Sequence, residues 1–336
     1  MRKLASIQRI KALEPIENAD AIEKATVLGW QLVVKKGEFA VGDLCVYCEI
    51  DSLMPERPEF VFLKQRGMRV RTVRLRGQVS QGICFQLSIL PPEVEIVEDA
   101  DVTEILGITK YEAPIPACLS GLMKGKFPSF IPKTDETRVQ ILQKLLEKYA
   151  GEKCYVTEKI DGSSVTYYLN KGEFGVCSRN LELLENEDNT LWKVARQLDI
   201  ENKLRALNGN YALQGEIMGE GIQSNKLKLR GQTVFFFNVF DIDKYEYLSF
   251  ENFTGFIANL GLQTVPIIET DYILDTDINA LIQKSIRKSL INKEAWAEGI
   301  VIRPVVEKRD VSNADLQNGR VSFKVVNAEF LLKYGE

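Results

Sequence analysis

An α+β chain of two domains is predicted, a small β-barrel followed by a larger domain in which sheets and helices mix. Three observations predict it. The 336 residues exceed one ordinary compact core and suit two domains. Short apolar runs broken by turn residues fill the first part of the chain. Beyond a proline- and glycine-rich interruption, strand-like and helical runs alternate irregularly, without the regular βα repeat of a parallel sheet.

The first domain spans 1–112. Val27-Leu28-Gly29-Trp30, Leu32-Val33-Val34 and Leu44 to Ile50 are short apolar stretches separated by Lys36-Gly37 and Val41-Gly42-Asp43, the punctuation of strands and turns. Met68 to Leu75 and Ile83 to Leu87 continue the pattern. A handful of such strands makes a small barrel. A junction over 113–133 follows, where Pro114, Pro116, Pro128 and Pro132 with Gly121 and Gly125 break any period. The second domain runs 134–336. Thr134 reads as the N-cap of a helix carrying Val139, Leu142, Leu145 and Tyr149 on one face, with Gly151 as its stop. Strands are expected at 154–158, 165–169, 234–240, 300–302 and 321–326. Helical stretches are expected around Leu191 to Leu207 and from Ile278 to Leu290.

Composition excludes several chemistries. There is no histidine, which removes Ser-His-Asp hydrolysis, H-E-x-x-H zinc sites and histidine acid/base catalysis. Any reaction must run on Lys, Glu, Asp, Arg and Tyr. The net charge is −4, so nucleic-acid binding would rest on a local basic patch rather than on the whole surface. No apolar run of about 18 residues or more occurs, and the start Met1-Arg2-Lys3-Leu4 lacks a signal-peptide core. A soluble, intracellular protein with no membrane partner is expected. The six cysteines are scattered and read as free thiols. Cys45-x-x-Cys48 is half a zinc site with no second half, and otherwise a strand with two buried sulfurs.

Chemistry concentrates at Thr157-Glu158-Lys159-Ile160-Asp161-Gly162. A lysine closing an apolar strand is a nucleophile if desolvation or a nearby cation favours its neutral form. Read alone, K-x-D-G is equally a surface turn. An ordered series follows: Ser178-Arg179-Asn180, Leu213-Gln214-Gly215-Glu216, Phe235 to Asp241, Glu298-Gly299-Ile300-Val301-Ile302-Arg303 and Ser322-Phe323-Lys324-Val325-Val326-Asn327.

This series resembles the motifs of the covalent nucleotidyltransferases, the superfamily of polynucleotide ligases and mRNA capping enzymes. The resemblance implies a C-terminal nucleotidyltransferase domain of mixed, mostly antiparallel sheets. It implies that Lys159 forms a lysyl-AMP phosphoramidate with ATP, and that Glu158, Arg179, Glu216, Phe240 and Lys324 bind the nucleotide. Phe240 would stack on adenine, with Phe237 as the fallback. Asp161, Glu216 and Glu298 would hold Mg2+ or Mn2+ through water. The motif that begins at Ser322 commonly carries a second lysine; Val326 stands there, so Lys324 acts alone or another base such as Lys333 helps. Without this context Phe235 to Phe240 read as core strand, Glu298 and Arg303 as a mutual ion pair, and Arg179 as a surface charge.

Nine residues follow Asn327, too few for a further module, so the extra domain is expected in front. That order, with Gly215-Glu216-Ile217-Met218-Gly219-Glu220-Gly221-Ile222-Gln223, resembles the fifth RNA ligase family, an N-terminal OB barrel ahead of a nucleotidyltransferase. The implied activity is an ATP-dependent RNA ligase joining 5′-phosphate and 3′-hydroxyl RNA ends, in a nicked duplex, as a monomer. Arg66, Arg69, Arg71, Arg74 and Arg76 cluster without an acidic residue. Arg69, Arg71, Arg74 and Arg76 are expected to bind RNA or the ATP pyrophosphate, the other reading being a solvated strand face. A DNA ligase or a capping-type guanylyltransferase would share the lysine chemistry, and a silent RNA-binding protein would share the fold. Nick-sealing with RNA and DNA strands, a GTP control and lysine labelling separate these.

Overall fold

The computed structural model describes residues 3–112, 114–115 and 121–335, so Pro116 and Cys118 lie outside the described residues. The chain divides into two compact units. One comprises Met1–Ala113, Gln140–Gln143 and Ala328–Glu336, and the other Pro114–Val139 and Lys144–Asn327.

In the first unit, five antiparallel strands lie in the order Trp30–Lys35, Ile22–Val27, Ala5–Pro15, Leu44–Cys48, Ile83–Phe85. The sheet curls until its ends approach: Gln81 N donates to Gln31 O at 2.8 Å and Val33 N to the Ser80 hydroxyl at 3.0 Å. Trp30, Tyr47 and Phe60 fill the interior. Burying a side chain of that size contributes about 1.5–3 kcal/mol. The longest of these strands, Ala5–Pro15, was not expected: its first four positions are all buried and its last five are half-buried or exposed, so no steady two-residue alternation marks it. Cys45, Cys48 and Cys84 are buried in this core, with the Cys45 and Cys84 sulfurs 3.4 Å apart.

The second unit holds two sheets. One has seven antiparallel strands, from Met123–Lys126 through Leu181–Leu183, Glu173–Cys177, Ser163–Asn170, Tyr211–Gly219 and Gln232–Asp241 to Glu246–Tyr247. The other has five: Thr137–Arg138, Phe323–Val326, Gly299–Pro304, Lys153–Lys159 and Ile267–Ile273, with only the first pair parallel. Helices Thr190–Gln197 and Ile200–Arg205 put Leu191, Val194 and Leu204 into the core beneath the larger sheet. Asn189 caps the first of them by accepting from Leu191 N and Trp192 N.

Three expectations are corrected. Thr134 caps no helix: its hydroxyl lies 2.9 Å from that of Ser164, and the helix begins only at Gln143, because 137–138 join the smaller sheet as an edge strand. Residues expected in the junction, Met123–Lys126, pair as a strand with Leu181–Leu183. The closing helix Ala328–Tyr334 belongs with the first unit, where Glu329 pairs with Arg74 and Gly335 O accepts from Arg71 at 3.1 Å. No helix among the described residues is long and apolar enough to cross a membrane.

Candidate active site

Lys159 stands where the chain leaves one sheet for the other. It ends the strand Lys153–Lys159, opposite Gly299, and Ile160-Asp161-Gly162 carry the chain to Ser163–Asn170 in the larger sheet, where Ser164 faces Glu216. Residues paired across antiparallel strands project to one face, and the face alternates along each strand. Thr157 and Lys159, Gly299 and Val301, and Lys324 and Val326 therefore share one face of the smaller sheet. Two glycines permit the approach. A Cβ on Gly162 would lie 2.4 Å from Ile217 O, and one on Gly299 2.2 Å from Val325 O, closer than any side chain tolerates.

Charge gathers around the lysine. Its Nζ donates to Glu298 Oε2 at 2.6 Å. Burial works against the ammonium, but Glu298, then Glu216 and Asp161, outweigh it and hold the Lys159 pKa above its ordinary value. Burial in turn pushes the Glu216 carboxyl up to about 8; Lys159 opposes this, while Glu298 and Asp161 reinforce it. Asp161 pairs with Lys226 at 3.0 Å. Arg303 does not pair with Glu298. It binds Glu136 at 2.9 Å and the Ser322 hydroxyl at 2.9 Å, which leaves Glu298 to the lysine. Among the described residues no three acidic or thiol groups converge to ligate a metal directly.

The remaining expected residues lie as follows. Glu158 points away from Lys159 and is buried, accepting from the Ser289 hydroxyl and from Leu290 N at 2.7 Å; its carboxylate braces that loop. Arg179 is exposed and paired with Asp135. Lys324 lies on the Lys159 face of the sheet, and Val326, in the place of a second lysine, is buried. Lys333 is on the helix of the first unit.

Phe240 is corrected. It is 1% exposed, packed among Ile131, Tyr168 and Ala212 with Tyr245 and Tyr247 edge-on to its ring, so neither face is open to a base. Phe237 is only partly buried and packs against the apolar cluster that contains Ile160, the neighbour of Lys159. A register shift explains the difference: Gln214 pairs with Asn238 but Gly215 with Phe236, leaving Phe237 on a bulge, which re-aims its side chain.

The N-terminal arginines separate. Arg69 is corrected, since it is buried, paired with Asp51 at 2.7 Å and stacked 3.8 Å over Tyr111. Arg71 and Arg74 engage the closing helix and the residue after it. Arg76 is exposed at the turn between Val73–Leu75 and Gln78–Ser80.

Sequence reasoning missed three residues. Arg138 pairs in register with Lys324, a parallel pairing that no local pattern announces. Val301 shares the Lys159 face, which the strand alternation of Glu298 to Arg303 already contained. Lys226 reaches Asp161 from a loop far along the chain and left no signal.

Residues 4–87 match an OB-fold domain, and residues 152–326 match the RNA ligase family. Among solved structures, the chain is 40% identical to an RNA ligase of Naegleria gruberi. A lysine-to-alanine variant of that ligase with ATP and Mn matches at TM-score 0.89, over 98% of this chain and 98% of that one. A glutamate-to-alanine variant with ATP and Mn matches over 100% of both chains at TM-score 0.89. The same ligase with PPi matches at TM-score 0.88, over 98% of each chain. No curated protein matches the chain.

Proposed function

The chain belongs to the RNA ligase family, and we propose from that premise that it is an ATP-dependent RNA ligase acting through a covalent adenylate on Lys159. The observation that carries the proposal is the Lys159 amine, 2.6 Å from Glu298 and subject also to Glu216 and Asp161. An ammonium so held cannot attack, so a positive charge must enter with the nucleotide. The residues fit such an ion. Asp161, Glu216 and Glu298 all act on one lysine, and carboxylates gathered in this way are the hard oxygen donors that suit Mg2+ or Mn2+ and its bound waters. When bound, Mg2+ or Mn2+ supplies the charge that neutralises these carboxylates and the ATP phosphates.

Lys159 releases its proton to solvent and attacks the α-phosphorus; the N–P bond forms as the P–O bond to pyrophosphate breaks. Lys324 and Arg138, adjacent across paired strands, face the α-phosphate, and Arg138 takes the share that a second lysine would hold. Phe237 and Val301 flank the adenine. Glu216 binds the ribose or a water of the cation, and Arg179 meets the 5′-phosphate end. The Lys159 N–P bond breaks as a 5′-phosphate oxygen of the RNA takes AMP to give A(5′)pp(5′)RNA, and the 3′-hydroxyl of the adjoining strand then attacks the 5′-phosphate, forming the phosphodiester as AMP leaves. Positioning and charge neutralisation supply the rate. The substrate is RNA with 5′-phosphate and 3′-hydroxyl ends at a nick in a duplex, handled by a monomer; exposed Arg76 and Arg74 are the N-terminal arginines that meet its phosphates.

The test is transfer of label from α-labelled ATP to the polypeptide in Mg2+ or Mn2+, with Lys159→Ala and labelled GTP alongside. Label on the wild type from ATP alone, absent from the variant and after chelation, is expected. Label on the variant, or none on either protein, defeats the reading.

A further inference from the structure

The loop after Glu216 has an unusual backbone. Gln223, Ser224 and Asn225 are consecutive and left-handed, with φ of 44°, 59° and 44°, and Lys228 follows at 55°. Asparagine tolerates this region; glutamine, serine and lysine visit it rarely. Such residues persist where the surroundings over-determine them, and they concentrate at functional sites. The over-determination is explicit. Asn225 closes a clamp on Leu229, donating to its carbonyl at 2.8 Å and accepting from its amide at 3.0 Å. Asn292 holds the Leu227 carbonyl at 3.1 Å, and the Leu227 side chain is buried in one cluster with Ile160 and Met218. Between clamp and plug stands Lys226, whose side chain is 9% exposed and whose amine lies 3.0 Å from Asp161.

We propose that Lys226 is a positioning residue for lysine adenylylation, holding the Asp161 carboxylate so that it does not close on the Lys159 amine. The inference rests on the adenylylation reading above. Asp161 is two residues from Lys159 and already acts on it, while Glu298 occupies the near side of the amine. A second carboxylate drawn onto the same ammonium would tie up the nucleophile. A buried lysine leaves Asp161 paired elsewhere, and the strained loop fixes where that lysine stands. Lys226 touches no reacting atom; it acts through Asp161.

Two reactions separate this role from a merely structural one. The first is label transfer from α-labelled ATP to Lys159. The second is sealing of a nick that already carries A(5′)pp(5′)RNA, which needs the folded domain but not adenylylation of Lys159. Lys226→Ala is expected to slow the first about tenfold or more, a loss of about 1.4 kcal/mol or more in barrier terms, and to leave the second within about twofold. Lys226→Arg, which keeps the charge, is expected to recover most of the first reaction. Equal losses in both reactions, an unchanged first reaction, or no recovery by arginine overturns the proposal. Wild-type protein that seals the adenylylated nick but never takes label would instead sink the adenylylation reading itself.

Discussion

Phe237 and Phe240 lie on one strand, yet opposite consequences follow from their substitution. Phe240 is enclosed, so Phe240→Ala opens a core cavity and costs about 3–5 kcal/mol of stability. Phe237 sits on a bulge against the cluster that contains Ile160, so if it flanks the adenine as proposed, Phe237→Ala removes an aromatic platform from the nucleotide. Base–aromatic stacking is worth roughly 1–3 kcal/mol, which predicts a KM for ATP in lysine labelling raised by roughly fivefold to 150-fold, with thermal stability nearly kept. Melting curves and ATP titrations on both variants check this. A Phe240→Ala protein that melts normally and binds ATP poorly would restore Phe240 as the platform. The sequence could not choose between the two rings, because a strict two-residue alternation is what a bulge breaks. The gathering of Glu216 and Glu298 around Lys159 could be anticipated because each lies inside a local motif. Arg69 was misjudged because its partners Asp51 and Tyr111 are remote in sequence.

At the scale of elements, the site depends on how one strand ends and another begins. The turn Ile160-Asp161-Gly162 joins the two sheets, and Gly162 lets it pass against Ile217. Gly162→Ala would place a methyl 2.4 Å from the Ile217 carbonyl, a backbone atom that cannot swing away. The turn must shift instead, and Lys159 with it. Overpacking of this kind costs about 1–3 kcal/mol of stability, whereas a displacement of about 1 Å at a reacting group costs about a hundredfold in rate. Lysine labelling is therefore expected to fall by about that factor while the protein remains folded by circular dichroism; labelling at the wild-type rate would show that the turn has slack. Most site-bearing strands were readable from their apolar runs. The edge strand Thr137–Arg138 was not, since two residues carry no period, and with it went Arg138 and the true start of the helix at Gln143.

For the whole molecule, the least legible feature is the return of the last helix to the first unit. Its seven residues, Ala328–Tyr334, announce no partner, and the arginines that meet the closing segment looked like ligands for phosphate. Two forces could hold the helix, and their magnitudes decide between them. The Arg74–Glu329 pair has side chains 43% and 34% exposed, and an ion pair in that setting is worth about 1 kcal/mol or less. Phe330 and Leu331 are buried at 1% and 4%, and truncating a buried phenylalanine costs about 3–5 kcal/mol. Apolar burial should dominate. Phe330→Ala is thus expected to lower the unfolding midpoint strongly, whereas Glu329→Ala should leave it nearly unchanged and insensitive to salt. Thermal melts of both variants at low and high ionic strength decide the matter. If Glu329→Ala costs as much as Phe330→Ala and the loss fades with salt, the arginines are the anchor, and Arg74 is then committed to the helix rather than to RNA.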